Sequence, residues 1–213
     1  MEKSQSFPWL CLSLLLAGCA SFLIGGQVQS GRLALQTGKP QEALSHFQEA
    51  AKTDPNYAMT SGLFREGIWT YVGRAQYHTG RFTEARQSLE RALALYDRDY
   101  LARLYLGLTL ARSGDRPRGL QEIQAAMKGL YDWIESLNNT LWGQNWDPAR
   151  DIQSQIEKDL AMISDKDFDW DKLIANAEWL GHRTEEEVDR ARRDERERFF
   201  RDGDSPRRRV SMG

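Results

Sequence analysis

Cysteine and histidine are scarce in this chain of 213 residues, and where they fall excludes most site chemistry. Cys11 and Cys19 are the only cysteines, and both lie in the first nineteen residues, where the sequence reads as an export signal. A mature chain is thereby expected to lack disulfide staples, thiolate zinc sites and a cysteine nucleophile. His46, His78 and His182 stand too far apart for metal-ligand spacing. No phosphate-cradling glycine loop, nucleophile elbow or zinc motif is present. A net charge of -2 supplies no basic field of the kind that draws nucleic acid. The expectation is a protein that is not an enzyme, with no catalytic residue, metal or cofactor and no nucleic-acid partner.

Small residues, by contrast, recur in register. Gly31, Ala43 and Ala50 are followed by Gly73, Ala85 and Ala92, and then by Gly107, Gly119 and Ala126, always in steps of twelve and seven. A glycine in mid-helix costs about 1 kcal/mol against alanine, a cost that makes sense where a neighbouring helix must come close. Seven residues after each leading glycine stands another, Gly38, Gly80 or Gly114, placed to end the helix with positive φ. A short polar turn and a second amphipathic run follow, as in Glu84 to Leu93. Each copy is therefore a pair of antiparallel helices. The second and third copies lie thirty-four residues apart and the first two forty-two, with the extra residues around Tyr57 to Phe64 expected as a longer loop or an extended first helix.

This period and pattern, over Phe22 to Met127, resemble the tetratricopeptide repeat (TPR) family. Trp69 and Val72-Gly73 match the family's opening, Phe47 and Leu89 its large residue in the second helix, and Pro55 its terminal proline. Gly119 departs from the usual alanine and Asp97 from the usual proline. The resemblance implies an all-α, TPR-type solenoid of about three helical hairpins, with capping helices and a charged tail after it. It also implies a concave groove lined by the first helices of the repeats, which would hold a protein or peptide. Family geometry places Arg32, Leu35, Gln36, Arg74, Tyr77, His78, Leu108, Ala111 and Arg112 there. The basic residues among them suit a partner with carboxylates.

At the amino terminus, the apolar run Phe7 to Leu16 leads into Leu16-Ala17-Gly18-Cys19, which resembles a bacterial lipobox. The resemblance implies cleavage before Cys19 and acylation of that residue, palmitate included. Two or three acyl chains hold firmly, since each buried methylene contributes about 0.8 kcal/mol. With Ala20 next and no aspartate there, the analogy gives the periplasmic face of the outer membrane. The alternative is an uncleaved inner-membrane anchor, because apolar character persists from Phe7 to Gly26, about the length that spans a bilayer.

The expected domains are the signal at 1–18, the solenoid at 19–128, a tryptophan-rich capping region at 129–182, and a charged helix and disordered tail at 183–213. From Leu130 to Leu141 the apolar pattern reads as the last repeat helix continuing, or as a further helix. Asp147-Pro148 starts another, carrying Ile152, Ile156, Leu160 and Ile163 along one face. A third, with Leu173, Ile174, Ala177 and Leu180, should stop at Gly181. Thr184 to Glu187 then reads as a capping box opening a charged run. Trp133, Trp142, Trp146, Trp170 and Trp179 either fill gaps between capping helices, stack on sugars of peptidoglycan, or meet a partner. Asp167, Asp169, Asp171 and Glu178 have the spacing of a calcium loop, but Lys172 replaces its turn glycine, so acids capping a helix are expected instead. The basic cluster Arg207 to Arg209 is expected in a solvated tail.

Overall fold

A computed structural model describes residues 23–61, 64–139, 146–165 and 167–203. The lipobox, Trp142 and Arg207 to Arg209 lie outside the described residues. The chain divides into two compact units, one made of residues up to Thr60 together with Arg65–Gly129, the other of Ser61–Phe64 together with the chain from Leu130 onward.

In the first unit, helix α1 (23–36) pairs with α2 (Pro40–Thr53), α3 (Ile68–His78) with α4 (Phe82–Leu95), and α5 (Tyr100–Arg112) with the start of α6 (Arg116–Asn138). The fold is an all-α, TPR-like helical solenoid. Every hairpin turns at the expected glycine: Gly38 and Gly80 have φ of 73° and Gly114 of 96°. The same three turns close with Lys39 N–H donating to Ala34, Arg81 to Gln76 and Asp115 to Leu110, the Schellman pattern that satisfies the last helix carbonyls.

The leading glycines sit where the partner helix leaves no room. A Cβ on Gly31 would overlap the edge of the Phe47 ring, and one on Gly73 would lie 2.5 Å from Leu89 Cγ. The third copy is tighter, because both crossing residues are glycine: a Cβ on Gly119 would meet Gly107 O and Ala111 N at 2.8 Å. The departure from alanine at Gly119 thus lets backbone touch backbone.

Two expectations are corrected. Where they are described, the extra residues around Tyr57 to Phe64 form strands and not a longer loop or an extended helix. Ala58–Ser61 (β1) pairs with Phe64–Gly67 (β2) in a two-stranded sheet, with Met59, Phe64 and Glu66 buried and Thr60 and Arg65 exposed. That alternation is the period of a strand, which Pro55 favours by ending α2. Nor does a helix stop at Gly181: α8 runs unbroken from Trp170 to Gly203. Leu180, Thr184, Val188 and Ala191 are all buried, so one buried stripe passes through the glycine and outweighs its helix penalty. Thr184 Oγ1 donates to Leu180 O inside the helix and caps nothing.

The second unit contains the end of α6, α7 (Asp151–Ile163) and α8. The last repeat helix does continue, since α6 is a single helix from Arg116 to Asn138. Asp147 caps α7 from four residues before its first turn: it takes a left-handed φ of 49° and accepts from Ile152 N at 3.1 Å and Gln153 N at 2.9 Å. Asp169 accepts from the Asp171 and Lys172 amides and so caps the start of α8, which accounts for the acidic cluster.

Candidate partner-binding groove

The expected groove residues occupy two kinds of place. Gln36, His78 and Arg112 are exposed near the carboxyl ends of α1, α3 and α5, and Leu35 is half-buried. Arg32, Arg74, Tyr77, Leu108 and Ala111 are buried, and Leu108 belongs wholly to the core. Helix periodicity brings Arg74, Tyr77 and His78 within a turn of one another on α3, so the register is the one the repeats dictate.

Arg74 is 3% exposed, and Glu66 at the end of β2 meets it with Oε1 2.8 Å from Nη1. Its guanidinium lies 5.0 Å from the Tyr105 ring centre and 6.0 Å from that of Tyr71, sandwiching the cation between aromatic faces. Tyr77 stands edge-on to Tyr105 at 5.6 Å, and His78 edge-on to both rings. From the next repeat, Arg112 Nε donates to Tyr77 Oη at 3.4 Å. The middle of the expected groove is therefore a packed cation and aromatic core that already contains a carboxylate of the chain. Its outer end presents His78 and Arg112.

Asp99 supports this arrangement from beneath. It caps α5 through Ala102 N at 2.9 Å and accepts from Thr70 Oγ1 at 2.7 Å and Gly67 N at 3.3 Å, tying α3 and β2 to α5. Burial pushes its carboxyl above the ordinary range, against the opposing pull of those hydrogen bonds and of Arg74. Neither Glu66 nor Asp99 was singled out from sequence. An aspartate ahead of an apolar helical run is a readable cap signal, whereas Glu66 becomes meaningful only once the residues before α3 are seen as a strand.

In the second unit Trp146 is buried and Trp133 and Trp170 are half-buried. Trp133 and Trp146 meet edge-to-face at 4.8 Å, and Phe64 lies 5.7 Å and 6.3 Å from them. Asn138 clasps the Trp146 backbone at both N–H and C=O, each at 2.9 Å. Trp179, at 43%, is the exposed one. No group of acids and histidines able to hold a metal occurs among the described residues.

A search among curated proteins finds no match. Residues 73–129, from the glycine of α3 into α6, match the family model described as tetratricopeptide repeat. That span runs from the middle of α3 through α4 and α5 into α6, and it is to tetratricopeptide-repeat proteins, whose repeats present surfaces to other proteins, that this chain is similar.

Proposed function

We propose that the protein is a lipid-anchored interaction scaffold of the bacterial cell envelope, held at the membrane through Cys19 and binding a protein or peptide on the concave side of its repeats. The observation that carries this reading is the repeated helix contact in the first unit, a construction whose product is a surface rather than a pocket for chemistry. The Leu16-Ala17-Gly18-Cys19 motif supplies the anchor and compartment, with the periplasmic face of the outer membrane as the location. Arg112 and His78 offer a carboxylate-bearing partner a charge-assisted contact at the open end. The packing of Trp133 on the buried Trp146 favours a structural part for these two tryptophans over sugar stacking.

Two measurements test it. Mass spectrometry of the mature amino terminus should show acyl groups on Cys19, and Cys19→Ser should release the protein from membranes. Arg112→Glu should lose partners that co-purify with the parent chain. Arg74 is the wrong place for that substitution, because reversing it would break a buried ion pair and the fold with it. Unaltered co-purification with Arg112→Glu, on a folded chain, would exclude this end of the groove.

A further inference from the structure

The geometry points to the outward face of α1 as a second membrane contact, one that lays the solenoid's first helix along the lipid surface. This inference rests on the anchor reading above. Leu23, Gly26, Gln29, Ser30 and Leu33 form that face, and none is charged. Leu23 is 64% and Leu33 59% exposed, among the most exposed large apolar side chains of the described residues. The exposed faces of α2 and α4 are charged: α2 shows Glu42, Glu49 and Lys52, and α4 shows Glu84, Arg86, Glu90 and Arg91 before the exposed Leu95 at its end. In a chain of which 28% is charged, the uncharged face belongs to the helix nearest the anchor.

Sequence and reach select the occupant. Residue 23 is four positions from Cys19, and at most about 3.5 Å per residue confines the start of α1 to about 14 Å from the acylated residue. No acidic residue occurs between Glu2 and Glu42, so nothing on α1 is repelled by anionic headgroups, and Lys39 lies at its far end. An uncharged helix face with exposed leucines, held that close to a bilayer, settles at the interface without inserting. No helix among the described residues is long and apolar enough to cross a membrane.

The test uses the full chain processed by its own amino terminus and placed in vesicles of phosphatidylethanolamine and phosphatidylglycerol. Leu33→Cys carries the environment-sensitive fluorophore NBD, and Gln87→Cys on α4 carries it as the control. The inference expects emission from position 33 to shift to the blue and to be quenched by spin-labelled lipid, while position 87 shows neither. An unshifted, unquenched signal at 33 on a chain whose mass shows acylated Cys19 overturns the docking face and leaves the anchor intact. A mature chain without acyl mass overturns the anchor itself. Self-quenching that follows protein density instead of spin-labelled lipid assigns the face to a second copy of the chain and overturns the membrane contact.

Discussion

Within each unit, one kind of contact stands out, and the two differ. In the repeats, helices meet where side chains are missing: Gly31 under Phe47, Gly73 under Leu89, Gly107 against Gly119. In the second unit, elements are joined by buried polar groups. Glu187, fully buried on α8, accepts from the Asp147 amide at 2.8 Å and from Arg190 Nε and Nη2. Asp147 in turn satisfies the first turn of α7. Packing through absent atoms tolerates almost no added volume. A polar lock tolerates volume but not the loss of a partner.

That difference can be broken from either side, and the largest effect is expected in the second unit. Glu187→Ala should cost about 3 kcal/mol in denaturant unfolding, because it strands the buried Asp147 amide and takes from half-buried Arg190 one of its two carboxylate partners. Glu187→Gln should recover part of that loss. Gly119→Ala should cost about 2 kcal/mol, since the new methyl meets backbone that cannot yield. Gly31→Ala should cost less, because Phe47 is a side chain and can tilt away. A Gly119→Ala variant as stable as its parent would contradict the close crossing of α5 and α6.

Asp159 gives the smallest effect and a different sign. It is 1% exposed on α7; its Oδ1 accepts from Gln155 and from Asn176 on α8, while Oδ2 has no donor. Burial raises its carboxyl above the ordinary 3.8, against the pull of those two amides and of Lys172 and Lys158. A native value raised above the unfolded one favours folding fully below the unfolded value, and the benefit disappears as pH rises through the native value. Asp159→Asn should therefore stabilise the chain at neutral pH by on the order of 1 kcal/mol and flatten the dependence of stability on pH above about 4. Melting curves across the acid range would check both.

The same contrast explains what could be read from the residues alone. Missing side chains repeat with the helices, so Gly31, Gly73 and Gly107 announce the hairpins, and Gly38, Gly80 and Gly114 their turns. The lock between Asp147 and Glu187 spans forty residues with no period, and nothing in the sequence couples them. Gly181 misleads for a related reason: a local stop signal is overruled by burial on both sides of it. In the groove, the repeat pattern put Arg74, Tyr77 and His78 on one helix, but depth was not legible. Arg74 becomes a core residue only because a strand brings Glu66 to it.

The most direct test of the scaffold account is photo-crosslinking in cells, with a photoreactive residue at Arg112, in the proposed partner-binding site, and another at Arg86 on α4. The account predicts one discrete partner captured from position 112 and none from 86. Equal capture from both positions, or from neither, would contradict it.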